Sequence, residues 1–386
     1  MASKMSTASR RWSVVVATML LTSALGVREV AATEVAPQAP AKPASANTTM
    51  TFAFWNVENL FDTDDDATNK GDDEFLPATD WTAERYQRKL QHLAEVILAF
   101  SPHVLGVAEI ENRRVLEDLL ATPALKPLGY RIVHRDSPDK RGIDVALIYR
   151  APLEFVGNES SVVVHRVEME SPTRGVLEVP LVVADTRLTI LVNHWPSRTS
   201  GTQESAPLRA AAARACRAAV ERIVAREAGL TPGRDADVIV MGDFNDDPFD
   251  ASVLEVLGAE FSRNKTLNYR DKMVLYNPSW SLCATPDQGT LYYNKDWRWN
   301  VFDQAILTKG LLDDVGFRFV EGSLAIHATD KMRDKYRRPL RFKKQGKAGE
   351  WIEGYSDHFP IYGKLELLPA TAKAVPAAAG APDPKE

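Results

Sequence analysis

Carboxylates, carboxamides and imidazoles recur in this sequence at the ends of short apolar runs, where an α/β sheet presents its reactive groups. The run 51–55 leads into Asn56-Val57-Glu58-Asn59, and 104–108 leads into Glu109-Ile110-Glu111-Asn112. Residues 188–192 deliver Asn193-His194-Trp195-Pro196, and 238–241 deliver Gly242-Asp243-Phe244-Asn245-Asp246. Asp303 lies between Val301-Phe302 and Ala305-Ile306-Leu307, and Ser356-Asp357-His358-Phe359-Pro360 precedes the last apolar run. Taken singly, an Asn or Asp at a strand end makes a turn or a cap, and a lone Asp-His pair says no more. Repetition changes the balance, because the alternation of Asp243 and Asn245 points both side chains to one face, and a shared hydrophilic centre follows. The only cysteines are Cys216 and Cys283, so no thiolate cluster can hold zinc or an iron–sulfur group. A metal must sit on carboxylates and imidazoles. Hard oxygen donors suit Mg²⁺ or Mn²⁺ held by one or two carboxylates and substrate phosphate oxygens, with two histidines to contact or protonate the phosphate.

The elements that must position these residues are legible in the patterning. Strand-like runs fall at 51–57, 103–108, 144–149, 162–164, 176–184, 188–192, 238–241, 302–307 and 361–365. A helix is predicted over 82–100, with Tyr86, Leu90, Leu93 and Ile97 at helical spacing and Ser101-Pro102 as its stop, and an Ala/Arg helix over 208–226. Many strands and few helices suggest mixed sheets covered by helices rather than a strictly alternating parallel sheet. The chain has 386 residues, 45% hydrophobic and 26% charged, with a formal charge of −5, which is globular composition and excludes a disulfide-stapled mini-protein. With no fixed-period repeat and no long linker, residues 50–368 read as one domain.

The first 32 residues read as a cleaved signal peptide: Lys4, Arg10 and Arg11 precede the apolar run 12–27, and Val30-Ala31-Ala32 supplies small residues for cleavage. A membrane anchor is the rival, but the run is short of the ~20 residues a bilayer needs, so no stable membrane insertion is expected after its removal. The destination is then periplasmic or extracellular. The pair Arg10-Arg11 leaves the Sec and twin-arginine routes both open. Residues 33–49 and 369–386, rich in Ala and Pro, read as a flexible linker and a disordered tail. Losing residues 1–32 removes four basic groups and one acid and leaves a formal charge of −8.

In order along the chain, Trp55-Asn56-Val57-Glu58, Glu109, Asn193-His194, Gly242-Asp243-Phe244-Asn245, Asp303 and Ser356-Asp357-His358 resemble the motif series of the endonuclease/exonuclease/phosphatase superfamily across residues 51–366. Strings such as WNVENLFD, RGIDVALIYR and NHWPSR resemble a bacterial, often exported, nuclease-like branch. The resemblance implies a single-domain, deoxyribonuclease I-like four-layer α/β sandwich: two packed mixed sheets flanked by helices, with the site at one rim. It implies Glu109 as principal metal ligand, Glu58 and Asp357 assisting, and Asn56 holding the phosphate or a metal-bound water. Asp243, helped by Asn245, would orient or deprotonate the attacking water. His358, oriented by Asp303, would stabilise developing charge or protonate the leaving oxygen, and His194 would grip the phosphate from the other side. This is metal-assisted in-line hydrolysis of a phosphoester. Where the deoxyribonucleases carry a second catalytic acid, this chain has Ile148-Tyr149-Arg150, which leaves leaving-group protonation to a metal-bound water or a histidine.

Surroundings narrow the ester. Residues 331–347 hold nine basic groups against one acid, beside the expected phosphate centre, which fits a polyanion better than a small neutral ester. Lys343 and Lys344 of that run, with Arg141, are candidate phosphate contacts; Arg141 and Asp144 follow a turn that brings them to the rim, and a loop salt bridge is the other reading. Five arginines in 208–226 read as an exposed helix face. Tyr276, Trp280, Tyr292, Tyr293, Trp297 and Trp299 either stack on bases or pack under a loop. The acidic residues Asp62, Asp64–Asp66 and Asp72–Glu74 offer Ca²⁺ a loop without EF-hand spacing, and a solvated loop is the plainer reading. The expectation is a secreted, divalent-metal-dependent nuclease, monomeric, cleaving DNA in preference to RNA. A sphingomyelinase-like or small phosphoester hydrolase and a non-catalytic nucleic-acid-binding module are the alternatives.

Overall fold

In the computed structural model, residues 48–369 are described, apart from Thr68, Pro286 and 346–348; the expectations for 1–32, for 33–47 and for 370–386 lie outside them. The strand and helices that open the fold are β1 (Thr48–Leu60), α1 (Ala83–Phe100), β2 (Val104–Ile110), α2 (Arg113–Ala121) and β3 (Asp144–Tyr149). Then come β4 (Thr186–His194), α3 (Thr202–Leu230), β5 (Val238–Asp243), β6 (Asp303–Leu307) and β7 (Ile361–Leu367). The first sheet has the central order β7-β1-β2-β3, with β1 parallel to β2 and antiparallel to β7. The second has the central order β6-β5-β4, with β4 parallel to β5 and β6 antiparallel to it. Both sheets are mixed.

Alternation along each strand sorts the side chains into three layers of core. From β1, Phe52 and Phe54 pack between the sheets with Leu147, Ile190, Ile239 and Met241, while Ala53 and Trp55 face the other way onto Leu90, Leu93 and Ile97 of α1. On the outer side of the second sheet, Val238 and Val240 meet Cys216, Val220 and Ile223 of α3. The result is helix, sheet, sheet, helix, the four-layer sandwich expected. Local chemistry fixes the helix ends: the Thr82 hydroxyl accepts from Arg85 N–H to cap α1, and Ser101 closes it with φ 38° before Pro102.

One expectation changes. The five arginines of α3 do not form one exposed face, because Arg209 and Arg217 are buried. Arg209 donates to Ser205 Oγ at 2.6 Å and pairs with Asp246 at 2.7 Å, and Arg217 donates to the Leu257 and Met273 carbonyls at 3.0 and 2.8 Å. They hold loops against the helix rather than facing solvent. Cys216 and Cys283 are both free thiols.

Candidate active site

Three neighbouring strand ends of the second sheet bring the reactive groups side by side. In register, His194 of β4 lies beside Asp243 of β5, and Asp303 of β6 lies opposite the same Asp243. From the first sheet, β1 and β2 lose regular pairing just where their carboxylates project: the register shifts between Asn56 and Leu60, and again between Ala108 and Ile110. Glu58, Glu109 and Asn245 all take left-handed backbone, at φ 53°, 62° and 50°. Such irregularities re-aim a side chain out of the pleat, at a local cost that the surrounding sheet must offset. Ser356 ties the last motif to the first, donating from Oγ to the Asn56 carbonyl at 2.7 Å and accepting the His358 N–H at 3.0 Å.

Asp243 is the hub. Its Oδ1 accepts the Asn245 N–H at 2.9 Å, and its Oδ2 accepts the Asn56 amide at 3.1 Å, with His194 Nε2 and His358 Nε2 at 3.6 and 3.7 Å. Burial pushes its carboxyl up to about 7; Asp303 adds to this, while His358 and the Asn245 and Asn56 donors oppose it. The two imidazoles are driven apart. Burial, with the Arg174, Arg141 and His358 charges, holds His194 well below the usual histidine value. His358 is held well above it, because Asp303 and Asp243 outweigh the burial that opposes them. At neutral pH, then, His194 is neutral and His358 an imidazolium, fixed by the Asp303 carboxylate at 2.7 Å from Nδ1.

The first sheet supplies Glu109, whose Oε2 accepts the Asn59 N–H at 3.1 Å and whose carboxylate lies 3.5 Å from Arg141 and 3.9 Å from His194. Glu58 behaves differently. Arg341 and the Phe342 N–H, at 3.2 Å, occupy its two oxygens, and Arg341 also reaches Asp357 Oδ2 at 3.1 Å. Buried Lys89 of α1 donates to the Glu58 carbonyl. Burial and Asp357 raise the Glu58 carboxyl, against Arg341 and Lys89. Glu109 and Asp357, both partly open to the cleft, are oxygen donors of the kind a divalent cation takes, so the residues fit one.

The sequence profile of the Endonuclease/Exonuclease/phosphatase family matches residues 51–367. The chain belongs to that family. It is accordingly a metal-dependent phosphoric ester hydrolase. A comparison with curated proteins finds no match. Among solved structures, an endonuclease/exonuclease/phosphatase family protein from Bacteroides thetaiotaomicron is 18% identical over 84% of this chain and 97% of its own, with a TM-score of 0.50, and shares the fold. TDP2 from C. elegans is 13% identical over 82% of this chain and 75% of its own, at a TM-score of 0.49. The Bacteroides thetaiotaomicron mannosyl-6-phosphatase Bt3783 is 18% identical over 82% and 99%, at 0.47.

In this member of the family the site opens into a cleft of about 540 Å³ lined by Glu109, His194, Asp243, Asn245, Asp357 and His358. Arg141 reaches it, donating to Asn59 Oδ1 at 2.7 Å, while Asp144 turns to His134 at 2.8 Å. Lys343 lines the cleft; Lys344 does not, its ammonium donating to the Thr79 carbonyl at 3.0 Å. The aromatic segment divides: Tyr292 and Tyr293 line the cleft, Trp299 stacks on Phe359, Tyr276 is buried and Trp297 is exposed. Arg338 lies 3.9 Å over the Tyr292 ring. Asn193 is wholly buried and accepts from Trp195 Nε1 at 3.1 Å, a structural role, and Asn112 caps α2. Sequence reasoning missed Arg341 and Lys89 as site residues. Lys89 carried a signal, since it falls on the apolar stripe of Tyr86, Leu90 and Leu93; Arg341 lay hidden among the other cations of 331–347.

Proposed function

We propose that the protein is an exported, Mg²⁺- or Mn²⁺-dependent phosphodiesterase that cleaves nucleic acid, DNA in preference to RNA. The observation that supports a nucleic-acid substrate is the rim, where Arg338 over Tyr292, Lys343, Lys295 and Arg141 line the same cleft as the paired histidines. Cations offer contacts to successive phosphates and the tyrosines offer faces to bases. Export rests on the leader-like segment 1–32.

A divalent cation held by Glu109 and Asp357 would neutralise charge on the phosphate as a Lewis acid. The chain's own groups do the rest. Asp243, an anion above about pH 7, accepts the proton of the attacking water. His358, held as the imidazolium by Asp303, stabilises the developing charge and gives its Nε2 proton to the leaving oxygen. This fills the place of the acid that Ile148-Tyr149-Arg150 lacks. His194, neutral, hydrogen-bonds the phosphate through Nε2 without repelling the cation beside Glu109. Asn56 keeps Asp243 aimed and Arg141 holds phosphate oxygens at the Glu109 edge.

A cleft of about 540 Å³ is also the size of a small-molecule pocket, which favours a small phosphoester as the second reading. Incubating the mature protein with plasmid DNA, RNA, sphingomyelin and p-nitrophenyl phosphate, with Mg²⁺ or with EDTA, separates the two. Cleavage of DNA with Mg²⁺ alone is expected. Intact DNA and RNA beside a hydrolysed small ester rejects the nuclease reading.

A further inference from the structure

Three carboxylates, Glu58, Glu109 and Asp357, lie around one spot, yet they do not converge. Among the described residues, the His, Asp and Glu groupings with ligand atoms within 4.8 Å of one another include Asp243, Asp303 and His358 but not these three. What separates them is Arg341. Its Nε and Nη2 both contact Glu58 Oε1 at 2.5 Å, and Nη2 also lies 3.1 Å from Asp357 Oδ2. The next residue's N–H takes Glu58 Oε2, so one dipeptide, Arg341-Phe342, uses both oxygens of that carboxylate.

We infer that Arg341 is a fixed cation built into the carboxylate set, so that Glu58 serves as its counter-ion and the centre takes a single divalent ion on Glu109 and Asp357. The inference rests on the metal-dependent reading of the site and specifies its stoichiometry. A guanidinium cannot be deprotonated in a protein, so its charge is permanent. Lys89 adds a second buried cation at the Glu58 carbonyl. Arg141 stands 3.5 Å from Glu109 as a third cation beside the set. With Glu58 taken by Arg341, Glu109 and Asp357 are left to one divalent ion that shares its charge with a phosphate. Arg341 also lies directly before the hairpin strand Phe342–Lys344, whose Lys343 lines the cleft, so the same segment that supplies the internal cation carries a rim contact.

The test is Mn²⁺ titration of the full chain by calorimetry, with free Mn²⁺ followed by paramagnetic resonance. Wild type is expected to bind one Mn²⁺. Glu109→Gln should weaken binding by about 1,000-fold or more, beyond the about 10- to 100-fold that a change behind the ligands costs, and Glu58→Gln by about tenfold, through the charge it no longer sets against Arg341. Arg341→Gln frees Glu58 and should admit a second Mn²⁺ or tighten the first by about tenfold. Two ions in wild type, or a Glu58→Gln loss as large as that of Glu109→Gln, overturns the inference. So does an Arg341→Gln variant, folded by circular dichroism, whose stoichiometry and affinity are unchanged. If Arg341→Gln does not fold, the Glu58→Gln and Glu109→Gln comparison decides alone. No Mn²⁺ binding at all by wild type would instead reject the metal-dependent reading beneath it.

Discussion

His358 Nδ1 and Asp303 Oδ2 lie 2.7 Å apart although 55 residues separate them in the chain. The carboxylate fixes the ring orientation and holds its charge, while Nε2 is left facing Asp243. Asp303→Asn should therefore lower kcat by about two orders of magnitude or more while leaving the fold intact. Asp303 raises the His358 value, so its removal lowers that value and moves the alkaline limb of the pH–rate profile to lower pH. An unmoved limb would reject the acid role of His358.

Asp243→Asn keeps the side chain's shape but removes the base. Turnover should fall by orders of magnitude at every pH, and near wild-type turnover would reject the role assigned to it. His358→Ala should do the same.

The cationic rim separates by position. Arg338→Ala and Lys343→Ala should each flatten the salt dependence of binding to duplex DNA by about 0.9 in log–log slope if each meets a phosphate. Lys344→Ala, whose ammonium is spent on the Thr79 carbonyl, should leave the slope unchanged. Filter binding across a salt series reads both.

Behind the site, Asp246 is the shared partner of Arg198 and Arg209, each at 2.7 Å, and Arg198 Nε donates to the Asn245 carbonyl at 2.7 Å. Asp246→Ala leaves buried Arg209 without its carboxylate, while Arg198 keeps Asp250 at 2.5 Å, and should cost about 3 kcal/mol in chemical denaturation. It should also slacken Asn245 and with it Asp243. A loss under about 1 kcal/mol would show the network to be solvated.

Acid stability carries a specific term at His103. Its Nδ1 accepts the Thr51 N–H at 3.0 Å, and burial, with Arg150, lowers its value from 6.5 to about 4. Between those values the unfolded chain binds a proton that the folded one refuses, so this contribution is complete above about pH 6.5 and is lost as pH falls towards 4. In His103→Asn the difference in Tm from wild type should shrink across that window. A constant difference would deny His103 the role.

The strand-end residues were legible because a sheet delivers its side chains at predictable points. Asn56, Glu109, His194, Asp243, Asp303 and His358 all stand where the apolar runs stop, and the structure brings them together. Asp357 arrived with His358. What sequence could not supply was the path of the irregular segments. Arg341 and Lys344 are three residues apart in one basic run, yet one enters the carboxylates and the other turns to Thr79. The arginines of α3 misled for a related reason. Helical spacing shows which residues share a face but not what the face meets, and Arg209 and Arg217 meet loop carbonyls and Asp246. Helix α2 was missed as well, being nine residues long and close behind β2.

The hydrogen bond from Asn56 to Asp243 joins one sheet to the other. Neither half of the chain therefore owns the centre. A cut between β3 and β4 should divide the first sheet, since β7 goes with the second half, and yield two inert fragments whose activity returns only on reassociation.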